Sequence, residues 1–188
     1  MMPELLKMPI IRADIKKHYP DIATFLWHVI VASEPLLEEA ARVSNGKLKD
    51  YYTRHLEEER GHELWLAIDL EELGIDVDAL PTDPIASAMA GSQYYILKHR
   101  DPAEFLGYMA FLEGTPMNPD LVAELESIYG EKAVRTLRYH SIHDVDHSSD
   151  LDKMIDSLST IDREKVVQNT RTTVALYSMA MERINGHP

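Results

Sequence analysis

Eight consecutive residues, His140-Ser141-Ile142-His143-Asp144-Val145-Asp146-His147, carry the strongest chemical signal in the chain. Wound into a helix at about 100° per residue, His140, Asp144 and His147 fall within roughly 60° of one another and form one column. A second column lies far upstream, where His55-Leu56-Glu57-Glu58-Glu59-Arg60-Gly61-His62 repeats the spacing with Glu59 in the carboxylate position. Imidazole and carboxylate on facing helices are what bundle proteins use to clamp one or two divalent metals. Such donors suit iron or manganese, with zinc as a competitor. Leu66 and Leu70 continue the stripe of Glu59, and Leu151 and Met154 continue that of His140, so both columns are expected to face a core. Polar groups withdrawn from water need a metal or tight hydrogen bonds. His143 and Asp146 are offset, as supports or surface residues, and Glu57 and Glu58 read as a solvated face.

A third element is Phe111-Leu112-Glu113-Gly114-Thr115-Pro116. Glu113 ends an otherwise apolar segment (Phe105, Leu106, Tyr108, Met109, Leu112), where a carboxylate either binds something or serves as a cap or ion-pair partner. Tyr94, Tyr95, Tyr108, Met109 and Tyr177 are candidates to line a substrate pocket; at helical spacing they also fit plain core packing. Of these, Tyr94, Tyr108 and Tyr177 are the pocket expectation.

These residues need rigid elements, and composition says which kind. The chain has 188 residues, 45% of them hydrophobic, enough for one domain over residues 1–188 with a real core. Nineteen basic against thirty-two acidic residues give a net charge of −13, which argues against a nucleic-acid or anionic-membrane surface and for small-molecule partners. A homodimer is compatible with this composition. With no cysteine there is no disulfide, thiolate metal site or Cys nucleophile, so any redox metal must sit on His, Asp and Glu. Residues 1–17 lack a signal-peptide pattern, and the best apolar run, residues 23–32, is too short to span a bilayer. A cytoplasmic protein is expected.

Nearly every segment has helical period, and no alternating β-branched run competes. The expected protein is all-α. Helices are expected over about 21–43 with a break near Ser33-Glu34-Pro35, over 47–73, 84–99, 102–114, 119–129 and 131–158, and from Thr160 or Asp162 to 185. Proline-opened starts and glycine stops mark the boundaries.

Two all-α arrangements accommodate this chemistry. A ferritin-like four-helix bundle would take Glu34 or Glu38, Glu59-x-x-His62, Glu113 and Asp144-x-x-His147. Its third helix would be confined between Pro102 and Pro116, about 20 Å at roughly 1.5 Å per residue, and His140 would have no role. The three motifs together, in this order over about residues 20–185, resemble the heme-oxygenase-like non-heme di-iron oxidases, the iron-containing redox enzyme family.

That resemblance implies a seven-helix heme-oxygenase-like fold without heme and an O₂-dependent oxidase or oxygenase acting on a small organic substrate. It implies two iron ions, with manganese or zinc as substitutes, held by Glu59, His62, Glu113, His140, Asp144 and His147. Glu113 would be the carboxylate central to catalysis. Members place the first carboxylate three or seven residues before its histidine; here the second position is His55, a further or alternate ligand. Thiaminase-like relatives need a cysteine that this chain lacks. Heme-binding relatives need a proximal histidine, for which His18 or His28 stands available, and a Gly-rich distal helix that is missing here. Cofactor-independent quinone-forming relatives would not need both columns. Outside catalysis, the alternative is a metal-binding or oligomerising helical protein.

Overall fold

The computed structural model describes residues 10–114 and 117–186, and for residues 143–147 the helical backbone alone. Every regular element among the described residues is helical. The seven expected segments are present, but two are broken, which gives nine α-helices among the described residues: α1 Ile15–Ile30, α2 Ser33–Val43, α3 Gly46–Glu59, α4 His62–Glu72, α5 Pro84–His99, α6 Leu106–Leu112, α7 Pro119–Tyr129, α8 Arg135–Asp156 and α9 Thr160–Ile184.

The first segment starts earlier than Asp21, because Asp14 caps α1 by accepting a hydrogen bond from the Lys16 N–H at 3.1 Å. Pro20 lies inside α1, accommodated by a departure from helical geometry at His18 (φ −115°, ψ 20°). The break with α2 falls at Val31-Ala32, which leaves Pro35 in the first turn, where its missing N–H costs little.

The second segment was expected to be continuous over 47–73. Instead the chain turns at Arg60-Gly61, with Gly61 at φ 84°, a conformation that glycine adopts without the Cβ penalty. The turn lets the two halves serve different cores. Tyr51 and Tyr52 of α3 pack with Phe25, Leu36, Met89, Leu106, Leu151, Ile155 and Met181. Leu66 and Leu70 of α4 pack with Tyr19, Val122, Leu125 and Val134. Asp101-Pro102 opens a short 3-10 turn before α6, another such turn precedes α8, and Ser159 rather than Thr160 or Asp162 caps α9. No helix among the described residues is long and apolar enough to cross a membrane.

Buried polar contacts tie these helices together. The Tyr52 hydroxyl donates to the Pro102 carbonyl at 2.8 Å, joining α3 to the entry of α6. Asn169 donates to Gln93 Oε1 and to the Glu104 carbonyl, both at 2.8 Å, so α9 holds α5 and the same entry. Asp69 of α4 accepts from the Thr136 N–H at 2.7 Å and from Arg135 at 3.2 Å, capping α8 from a neighbouring helix. Gly107 brings α6 against α9 so closely that a Cβ there would meet the Val166 carbonyl oxygen at 2.2 Å and the Thr170 nitrogen at 2.9 Å.

Gly107→Ala is therefore expected to force two backbones apart. The variant should lose about 1–3 kcal/mol in chemical denaturation, the usual cost of overpacking. Wild-type stability in this variant would show that α6 is free to move away from α9.

Candidate metal centre

Five of the singled-out side chains converge from four parts of the fold. His55 and Glu59 stand on the last turns of α3, and His62 opens α4 just past the Gly61 turn. Glu113 is the residue that ends α6, and His140 is on the first half of α8. His55 Nε2 lies 3.0 Å from Glu113 Oε2, with Glu58 Oε2 3.5 Å from its other ring nitrogen. The His62 Nδ1–H donates to Glu59 Oε2 at 3.0 Å, and the His62 and His140 rings are 5.1 Å apart. The break at Gly61 means that His55, Glu59 and His62 do not share one helical column, as the spacing suggested. Glu59 and His62 meet across the turn instead.

These groups are withdrawn from water. His55 and His62 are each 2% exposed, and the side chains of Glu113 and Glu59 keep only 20% and 11% exposure. Burial disfavours a charged His55 ring, yet the Glu113 carboxylate beside it, helped by Glu59 and Glu58, outweighs burial and raises its pKa to about 9. Burial likewise opposes the charge on Glu59, but the hydrogen bond from His62 and the nearby His62, His55 and His140 rings hold its pKa below the ordinary carboxylate value. The site thus balances buried carboxylates with imidazoles.

This donor set fits a divalent cation. A bound cation supplies the positive charge that a protonated His55 supplies here, and the His62 Nδ1–H bond to Glu59 selects the tautomer whose Nε2 can ligate. Among the described residues, no three of these side chains already form a ligand cluster. The side chains of Asp144 and His147, with those of His143 and Asp146, lie outside the described residues. Of the ferritin-like candidates, Glu38 is exposed and Glu34 is 3.5 Å from Arg60 at the α3–α4 turn.

The aromatic neighbours divide among different places. Tyr108 is buried and stacks on Phe105 at 5.6 Å; burial and then the Glu113 charge keep its phenol protonated. Tyr177 packs between Phe25 and Phe111, and Tyr94 lies nearer to Glu39 and Glu38 of α2. Sequence reading did not single out Tyr51, which stacks on His55 at 5.8 Å, or Trp65, whose ring is 4.3 Å from that of His62. Trp65 follows His62 by three residues on α4, the only trace of this contact in the sequence.

Comparison with known proteins bears on fold and family. A family model described as iron-containing redox enzyme matches residues 23–178. A domain of unknown function with a heme oxygenase-like fold from Shewanella denitrificans superposes with a TM-score of 0.79 at 21% identity, covering 97% of this chain and 82% of that one. A TenA homolog from Pseudomonas syringae pv. tomato superposes with a TM-score of 0.69 at 10% identity, covering 90% and 79%. No curated protein matches the chain in sequence. The all-α architecture is thus the heme oxygenase-like fold.

The His55–Glu113 pair makes the stability of the metal-free protein depend on pH. A histidine whose pKa rises from 6.5 to about 9 on folding contributes stability that is complete below pH 6.5 and lost as pH climbs through about 9. The loss should be on the order of 3 kcal/mol. Urea denaturation across this window should show it, with a much flatter profile for Glu113→Gln; parallel profiles would mean that Glu113 does not hold the proton on His55.

Proposed function

This chain belongs to the iron-containing redox enzyme family, and on that premise we propose that it is a cytoplasmic, O₂-dependent non-heme di-iron oxidase or oxygenase acting on a small organic molecule. The observation that carries the reading is the gathering of Glu59, His62, Glu113 and His140, with His55, from α3, α4, α8 and the end of α6 into one buried, charge-balanced group. The family resemblance adds Asp144 and His147 of α8 to the ligands. Iron, when bound, supplies electrons to O₂ and so generates an oxidant able to attack a substrate carbon.

The protein's own residues have separate tasks in this account. Glu59 orients His62 through its Nδ1–H, and Asp69 fixes α4 against the start of α8, which sets the spacing between His62 and His140. Glu113 comes from a third direction, where its carboxylate would help to hold the ions and to neutralise their charge. His55 holds the Glu113 carboxylate in the metal-free protein, and to serve as a ligand itself it would have to give up its proton. Heme would take His18 or His28 as its proximal ligand; His18 lies 3.8 Å from Asp21 and His28 packs on Trp27, and neither is among the five converging side chains. The TenA homolog shares the fold, and the cysteine that thiaminase-like relatives need is absent from this chain.

Metal content and O₂ uptake test the reading together. Anaerobic Fe(II) should raise the melting temperature and bind at two ions per chain, and admission of O₂ should give a transient visible absorption. His62→Ala and His147→Ala should each lose iron, while His99→Ala, on the exposed end of α5, should not. Glu113→Ala should keep its helices by circular dichroism, hold at most one iron tightly and lose O₂ consumption. Two irons and normal O₂ consumption in Glu113→Ala would make that residue a structural cap and return Glu34 to the ligand set.

A further inference from the structure

Two aromatic side chains connect the candidate ligands to solvent. The Trp65 ring on α4 lies 4.3 Å from that of His62 and 4.9 Å from that of Tyr139 on α8. Tyr139 is 5.7 Å from both His62 and His140. Trp65 is 39% exposed and Tyr139 38% exposed, whereas Tyr51, the ring stacked on His55, is 3% exposed. With no thiol in the chain, indole and phenol are the side chains that give up a single electron most readily. Packing of α4 on α8 alone needs some bulky side chain here; it does not need an indole and a phenol that each touch a candidate ligand and also reach water.

We propose that Trp65 and Tyr139 form an electron outlet, through which oxidising equivalents left at the metal centre in the absence of substrate are discharged at the surface instead of on the ligands. This inference rests on the O₂-dependent reading above. Conversion of O₂ to two waters takes four electrons and four protons. In productive turnover two of the electrons come from the ferrous pair and two from the substrate. Without substrate, Trp65 and Tyr139 supply the last two, one each, and release their indole N–H and phenol O–H protons to solvent. The two neutral ring radicals are then restored by an electron and a proton each from a diffusible reductant of the ascorbate or thiol class. Partial exposure is what makes that restoration possible.

Peptide mass spectrometry of oxidised residues provides a readout separate from activity. Full-length protein loaded with Fe(II), its iron content verified, is exposed to O₂ without substrate, with and without ascorbate. Metal-free protein exposed to hydroxyl radical generated in bulk solution serves as the reference for exposure alone. The ratio of oxidation at Trp65 to that at Trp27 should be several-fold higher with iron and O₂ than in the reference, and ascorbate should lower it. In the Trp65→Phe/Tyr139→Phe double variant, which keeps a ring at each position, oxidation should move to His62, His140 and Tyr51. An unchanged ratio in the wild-type protein overturns the proposal even if the double variant does not fold, and so does a folded variant whose ligands are no more oxidised. Absence of bound iron would overturn the O₂ reading itself, and this inference with it.

Discussion

A carboxylate taken out of water must be met by positive charge, and Glu59 and Glu113 impose that condition on the whole middle of the molecule. An unpaired buried ion costs several kcal/mol, a large share of the roughly 5–15 kcal/mol by which a domain of this size is stable. His62 answers Glu59 across the Gly61 turn, and His55 answers Glu113 across the gap between α3 and the end of α6. Neither pair is a local accident of one helix. The Glu59–His62 pair is set by the short turn that joins α3 to α4, whereas the His55–Glu113 pair exists only because separate helices are held at a set distance, so there the charge balance and the fold stand or fall together. Proton and metal are alternative solutions to the same electrostatic problem.

The helices are held by groups that do no chemistry. Asp69 caps α8 from α4, Tyr52 fastens α3 to the entry of α6, and Asn169 with Gln93 anchors that entry to α9. Gly107 permits the close approach of α6 and α9, where Thr170 donates to the Gly107 carbonyl at 3.0 Å. Sites supported in this way keep their geometry because each supporting polar group is itself satisfied. α6 is short, at seven residues, yet it is fixed at both ends of its path to Glu113.

Much of this was legible in the sequence because helical period and terminal signals are local. Asp83-Pro84 and Asn118-Pro119 open α5 and α7 as expected, and Gly130 follows the last residue of α7. The inward orientation of His62 agrees with the stripe it shares on α4 with Leu66 and Leu70, both buried, whereas Glu59 precedes the turn and points inward without sharing that stripe. The Arg60-Gly61 turn was not legible, because a single glycine in a helical run is tolerated in many proteins; only the existence of two cores, one for each side of the turn, makes the break favourable. The partners of Glu113 and Asp69 were equally hidden, since residues 58 and 67 positions away in sequence meet them through tertiary packing alone. Tyr51 and Trp65 were missed for the same reason: an aromatic residue in an amphipathic helix gives no sign of whether it meets a core or an imidazole.

The central claim is that this charge-balanced group is the protein half of a two-iron site. Its most direct test is diffraction at the iron absorption edge from crystals of the Fe(II)-loaded protein grown without O₂. The account predicts two anomalous peaks among Glu59, His62, Glu113, His140, Asp144 and His147, with Glu113 withdrawn from His55. A map without iron at these residues, with the His55–Glu113 pair intact, would contradict it.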